Sequence, residues 1–141
     1  MGALLRAPFD ALLAHNYREL AAQGFDDLRP AHGAVLRHMT AEGARITELA
    51  DKARMTKQSM AELVEYLRER GYVRLIADQG DRRAKLVTLT ERGAQVHRAL
   101  VRISRSFERE CVRAMGEEKW GQFRRLLEEL AAWSARYGQQ P

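Results

Sequence analysis

With 141 residues, the chain has room for one domain, or two closely knit parts, around a modest core. Hydrophobic residues at 45% and charged residues at 30% exclude a disordered chain, and no apolar run approaches the roughly 18 residues of a membrane span. A net charge of +5 suits a polyanionic partner without demanding one.

The amino terminus, MGALLRAPFDALL, carries Arg6 and Asp10 within its apolar stretch and no small-residue cleavage site, so it does not read as a signal peptide. The single cysteine, Cys111, leaves no internal disulfide and fits a reducing cytoplasm. A first helix is expected from Pro8, suited to a first turn, to about Gln23. Leu5, Phe9, Leu12, Asn16 and Leu20 mark one face, and Gly24 ends it. A second helix starts near Pro30 and carries Ala34, Val35, Leu36 and Met39, with Gly43 closing the connection after it. A short helix over 46–53 and a longer one from Thr56 to about Arg70 follow, stopped by Gly71.

Two strands are expected at 72–77 and 84–89. Thr90 then caps a long helix with Val96, Leu100, Ile103, Phe107 and Cys111 at steps of three and four. Gly116 breaks it. The last helix aligns Trp120, Phe123, Leu127 and Leu130, with Leu126, Trp133 and Tyr137 alongside. The predicted class is mostly α with a small β-hairpin wing, in the order ααααββαα.

The stretch ITELADKARMTKQSMAELVEYL (46–67) has the offsets of a helix-turn-helix. Ala50 is small where two crossing helices approach, and Leu49, Ala53, Met55, Met60 and Leu63 supply facing apolar anchors. Thr56 offers a hydroxyl cap worth about 1 kcal/mol over alanine. Lys57, Gln58, Ser59 and Ala61 then form a polar or small first turn, as a helix presented to the DNA major groove requires. The plainer alternative is a helical hairpin inside a bundle. Arg54 stands where such turns often take glycine, because a positive φ is easier without a Cβ.

The loop of DQGDRRAKLVTLT (78–90) needs Asp78, Gly80 and Asp81 to reverse the chain but not Arg82 and Arg83. A basic hairpin tip directly after a helix-turn-helix points to a winged helix, whose wing reaches neighbouring phosphates or a minor groove. Asp81 is placed to orient Arg82 or Arg83 by a charge-assisted hydrogen bond. From Lys52 to Arg92 there are ten bases and six acids, so most of the net positive charge lies in this segment.

Residues 28–93 resemble the winged-helix core of the MarR (multiple antibiotic resistance regulator) transcription factors. The resemblance rests on RPAHGAVLRHM, ITELADKARMTKQSM, LVEYLRERGYV and above all DQGDRRAKLVTLTERG; the flanking helices match in pattern rather than motif. It implies a winged helix-turn-helix DNA-binding domain at 28–93, with 1–27 and 94–141 forming a helical dimerisation region. It implies a cytoplasmic homodimer on a palindromic operator, acting as a repressor released by a small aromatic or anionic effector. DNA contacts would come from Thr56, Lys57, Gln58, Ser59, Glu62, Arg74, Arg82, Arg83 and Lys85, with Arg45 and Arg54 as further candidates for phosphates. Glu62 departs from the family, where a base is frequent, and Arg29 precedes Pro30 where a hydroxyl cap is common, leaving Asp26 or Asp27 to cap that helix.

His15, Asn16 and His32 are the polar groups nearest the cleft expected between the first two helices, and so are the effector candidates; the alternative is that they pack or face water. His15, His32, His38 and His97 are too scattered for a metal site, and no HExxH motif or cysteine pair exists. No nucleophile–base arrangement or phosphate-cradling glycine loop suggests an enzyme, and no cofactor is expected. Cys111, on an apolar stripe, reads as packed rather than as a redox switch. Two alternatives to the effector-released regulator stay open: a winged helix used for protein contact without DNA, and a constitutive DNA-binding regulator.

Overall fold

The computed structural model describes residues 2–78, 80–81 and 84–137. Among them run helix α1 (Gly2–Ala22), a 3-10 turn (Pro30–His32) leading into the short helix α2 (Gly33–Leu36), α3 (Ile46–Ala53) and α4 (Lys57–Glu69). Strands β1 (Val73–Ala77) and β2 (Lys85–Leu89) follow, then α5 (Glu91–Met115) and α6 (Glu117–Tyr137). The chain forms two compact units, residues 1–103 and 104–141, with the boundary inside α5.

The core of the first unit gathers Leu20 of α1, Val35 and Leu36 of α2, Leu49 and Ala50 of α3, Met60, Val64 and Leu67 of α4, and Val73 and Val87 of the strands. Val96, Ala99 and Ile103 of α5 join it. In α4 the buried residues recur at helical steps, which turns one stripe inward and leaves the polar face outside. Gly71, at φ 72°, stops the helix: Tyr72 N–H donates to the Leu67 carbonyl at 2.9 Å and Gly71 N–H to that of Arg68 at 3.0 Å. Paired bonds of this kind satisfy carbonyls that the last turn leaves open.

Two helices depart from the sequence expectation. α1 begins at Gly2, with Pro8 inside it. Proline costs the helix one bond, from the Leu4 carbonyl, while its fixed φ is already helical. Leu4 is 76% exposed, so water reaches the segment that loses its donor. The expected helix from Pro30 to Met39 is shorter and tighter, because i+3 bonds such as His32 N–H to the Arg29 carbonyl and His38 N–H to the Val35 carbonyl take over at both ends.

β1 and β2 pair antiparallel, from Val73↔Leu89 to Ala77↔Lys85. Ala44 adds a one-residue third rung, exchanging both backbone bonds with Val87 at 3.1 and 2.9 Å. The sheet is thereby tied to the residue before Arg45 and α3. Thr90 caps α5 as expected, accepting from Gly93 N–H at 3.1 Å while its own hydroxyl donates to the Gly71 carbonyl and its backbone N–H, at 3.0 Å, to the Tyr72 carbonyl. Gly93 comes so close to the Tyr72 carbonyl that a Cβ would lie 2.1 Å from its oxygen.

In the second unit, α6 has no buried residue. Phe123, Leu126, Leu127, Leu130, Trp133 and Tyr137 are exposed, and Trp133 stacks on Tyr137 at 4.8 Å. In the first unit, Leu4, Leu5 and Phe9 of α1 are exposed as well.

Gly93→Ala is expected to lower unfolding free energy in urea titrations by about 1–3 kcal/mol, because the methyl must displace backbone. In α6, a Cβ on Gly121 meets only the end of the Arg125 side chain at 3.8 Å. Gly121→Ala is therefore expected to stabilise by about 0.5–1 kcal/mol.

Candidate nucleic-acid interface

α3 and α4 meet across the turn Arg54-Met55-Thr56. Met55 N–H donates to the Ala50 carbonyl at 2.9 Å and Arg54 N–H to that of Asp51 at 3.1 Å. This closure puts Arg54 in the left-handed region, at φ 53° and ψ 44°. It is the one non-glycine residue with positive φ among those described. The turn is thus built in the usual way, with arginine carrying the strain that glycine would avoid.

Thr56 is the cap of α4: its hydroxyl accepts from Ser59 N–H at 3.1 Å and donates to Ser59 Oγ at 2.9 Å. Both roles of that hydroxyl are spent inside the turn, so Thr56 shapes the helix start, and Ser59 Oγ keeps its proton to offer outward. Lys57 and Gln58 are exposed beside it. Gln58 Nε2 lies 3.4 Å from Glu62 Oε1, an exposed pair that leaves the Gln58 carbonyl oxygen outward. The acid at position 62 therefore has a neighbour on its own helix. Arg54 is exposed too.

On the hairpin, Arg74 of β1 and Lys85 of β2 are exposed, and Arg74 Nε reaches Thr88 Oγ1 on the paired strand at 3.4 Å. With Glu65, Arg68 and Leu75 they line a shallow groove between the outer side of α4 and the sheet. Arg68 is bound to Glu65 on the same helix, Nε to Oε2 at 2.8 Å. Arg45 is bound to Asp78, Nε to Oδ2 at 2.9 Å. Arg82 and Arg83 lie outside the described residues, as does the expected orientation of either by Asp81. The structure therefore brings Arg54, Thr56, Lys57, Gln58, Ser59 and Glu62 together on the α3–α4 turn and the start of α4, and sets Arg74 and Lys85 apart on the sheet.

Behind this surface, the sequence missed a polar cluster. His32 is 6% exposed and is the buried polar residue of the described chain. Its ring stacks on Tyr66 of α4 at 4.2 Å, and Arg70 lies over the same tyrosine at 3.4 Å. Its Nδ1 accepts from the Arg29 backbone N–H at 2.9 Å. That bond replaces the cap expected from Asp26 or Asp27. Asp27 instead takes the Tyr72 hydroxyl on its carboxylate and the Tyr66 hydroxyl, at 2.6 Å, on its carbonyl. Arg70 and Arg92 approach the carboxylate at 3.8 Å each. Burial, then the charges of Arg70 and Arg29, hold the His32 imidazole below the ordinary histidine value. Four segments, from Asp27 to Arg92, are knitted at this point.

The effector candidates are differently placed. His15 and Asn16 are half-buried on α1, with His15 Nδ1 3.4 Å from Arg18. Asn16 Oδ1 is buried with no hydrogen-bond partner. His32 is committed to the cluster just described.

Residues 26–84 match the sequence model of the MarR family. This segment is similar to the MarR family. The transcriptional activatory protein BadR of Rhodopseudomonas palustris is 32% identical over 68 residues, which are 48% of this chain and 39% of that protein. The exopolysaccharide II synthesis transcriptional activator ExpG of Rhizobium meliloti is 28% identical over 91 residues, 64% of this chain and 47% of that protein. The matched stretches span less than half the length of either relative. The crystal structure of Streptococcus pneumoniae FabT in complex with DNA has the same fold, with a TM-score of 0.81 at 18% identity over 96% of each chain. The mostly-α fold with its two-stranded hairpin is the one expected, and both relatives are named as transcriptional activators.

Elsewhere on the chain, Cys111 is half-buried, and its thiol is pushed up by burial and by Glu108 and Glu110. A raised thiol pKa disfavours the reactive thiolate. Among the described residues, no group of three or more His, Cys, Asp or Glu gathers as metal ligands, and no helix is long and apolar enough to cross a membrane.

Arg54→Gly is expected to raise unfolding free energy by about 1 kcal/mol, as relief of the left-handed strain outweighs the added chain entropy; thermal and urea unfolding check it. A second expectation concerns pH. His32 is held neutral in the folded chain, so below the ordinary imidazole range the unfolded chain binds the extra proton. Its contribution to stability is complete above about pH 6.5 and is lost as pH falls through that range. Urea titrations from about pH 7.5 to about pH 5.5 should show this decline, and His32→Gln should flatten it.

Proposed function

We propose that the chain is a sequence-specific, DNA-binding transcriptional regulator that works as a homodimer on a palindromic operator. The observation that carries this reading is the exposed first turn of α4. Lys57 and Gln58 project from it, Arg54 flanks it, and the two helices behind it are fixed by Leu49, Ala50 and Met60 in the core. Such a turn offers a cation to phosphates and an amide to base edges. Its exposed polar character favours DNA over the protein-contact alternative, which would want an apolar surface. Thr56, Ser59 and Glu62 shape that turn; Arg74 and Lys85 extend the cationic surface on the hairpin, and Arg82 and Arg83 are further DNA contacts in this reading. The DNA-bound FabT supports the reading by its shared fold.

In this proposal residues 28–93 meet DNA, while 1–27 and 94–141 join the two copies. The exposed apolar residues on α1, and separately those on α6, support a dimer, since exposed apolar surface of this kind marks an interface. Two-fold symmetry would then set the recognition helices roughly 34 Å apart. Binding of a small aromatic or anionic compound beside His15 and Asn16 would release the DNA, with the unpartnered Asn16 Oδ1 accepting from a donor group of that compound; His32, committed to its own cluster, would act only from behind. Repression is the simplest outcome for a protein that covers an operator. Activation is the second reading, favoured by the names of BadR and ExpG.

A duplex selected from a random library by the wild-type protein provides the test. Lys57→Ala should weaken binding to all selected sequences and lower the slope of log affinity against log salt by about 1. Arg82→Ala with Arg83→Ala should do the same, more strongly. Failure to enrich any duplex would refute the DNA reading, and a monomeric mass by light scattering at micromolar concentration would refute the dimer. If no aromatic acid titrated against the complex releases DNA, the effector reading fails.

A further inference from the structure

We propose that Arg45 is a positioning residue rather than a phosphate contact: with Asp78 it forms a strut fixing the base of the hairpin to the start of α3. The inference rests on the DNA reading above. Arg45 immediately precedes α3, with its backbone extended at φ −75° and ψ 150°. Its neighbour Ala44 is bonded to Val87 of β2, so the Arg45 side chain leaves the backbone next to the sheet.

The guanidinium directs both Nε, at 2.9 Å, and Nη2 to a single oxygen of Asp78, thirty-three residues away. Nη1 lies 4.0 Å from Asp81 Oδ2. Asp78 is well placed to receive this contact. Its side chain is 15% exposed against 38% for Arg45. The other carboxylate oxygen accepts from Gly80 N–H at 2.8 Å, and the Asp78 N–H donates to the Ala84 carbonyl at 3.1 Å. One acid therefore closes the hairpin with its backbone, shapes the turn with one oxygen and holds Arg45 with the other. The pairing is charge-assisted at both ends, and the arginine holds the Asp78 carboxyl below the usual carboxylate range.

The recognition helix is fixed by its hydrophobic face, but a two-stranded hairpin is weakly stable on its own. Its aim relative to α4 depends on what ties it down. The Ala44 rung holds the sheet at its middle, at Val87. The Arg45–Asp78 pair holds it beyond the last strand pair, Ala77↔Lys85. A phosphate contact would require Arg45 to leave an acid that already takes two of its donors, with a second acid close by. The backbone N–H of Arg45 donates to Glu48 Oε2 at 3.0 Å, so side-chain substitution leaves the start of α3 capped.

The two roles predict opposite signs for one variant. Removing an acid near DNA strengthens binding by simple charge, and if Arg45 gripped a phosphate, Asp78→Asn would also free it to do so. If the pair is a strut, Asp78→Asn weakens binding although the protein becomes more positive. Fluorescence anisotropy on the selected duplex should show Asp78→Asn and Arg45→Ala each weakening binding roughly tenfold, with the double variant no weaker than Arg45→Ala alone. Urea midpoints should stay at the wild-type value, while hydrogen exchange at the Asp78 and Ala84 amides accelerates. Binding of Asp78→Asn as tight as or tighter than wild type would overturn the strut, the more so if Arg45→Ala lowers the salt slope by about 1. If the wild-type protein enriches no duplex at all, the proposed function falls and the strut falls with it.

Discussion

The close crossing of α3 and α4 governs the rest of the first unit. Leu49 and Ala50 on one helix and Met60 on the other are buried within a few per cent of completely, and the helices are joined by only three residues. Two helices cannot turn that sharply unless the chain leaves α3 through a left-handed residue, and Arg54 adopts that conformation against its own preference. The burial of α3 and α4 outweighs the strain of a single residue, commonly about 1–2 kcal/mol. Once the turn is set, Thr56 must be extended, its hydroxyl meets Ser59 N–H, and the polar first turn of α4 faces away from the core.

Three long-range ties then hold the hairpin and the long helix to this pair. The Ala44 rung fixes the sheet to the segment before α3. Gly93 and Thr90 press the start of α5 onto the Tyr72 carbonyl at the beginning of β1. Asp27, Tyr66, Tyr72 and His32 join the segment before α2 to α4 and β1 through hydroxyls and a stacked ring. These ties are mostly polar and partly buried, so each group's loss of water is offset only while its partner stays in place. The surface of the first unit thereby inherits its geometry from contacts made by residues far apart along the chain.

Much of this was legible in the residues. Met60, Val64 and Leu67 recur at helical spacing, Gly71 marks a stop, and Thr56 and Thr90 both became the caps their positions implied. The strands differ from expectation by one residue at their starts. The reading of α1 from Pro8 failed because proline is a preference for a helix's first turn, and an exposed helix can accommodate it later. The helix from Pro30 failed at its ends, where bonding between neighbouring turns is decided by a few tenths of an ångström. For the interface, Lys57 and Gln58 stood out because polar residues at the start of an otherwise amphipathic helix have nothing to pack against.

The sequence by itself determined which faces are apolar, where helices begin and stop, and that a hairpin follows a helix-turn-helix, because those features are written in local periodicity and in residues with restricted backbones. Only the tertiary structure decided that His32 caps and stacks, that Arg45 is held by Asp78, and that Ala44 joins the sheet. Each joins groups far apart along the chain or depends on how side chains are turned within one fold. A polar pair of that kind leaves no period in the sequence, since any of several acids could serve a given arginine until packing brings one within reach.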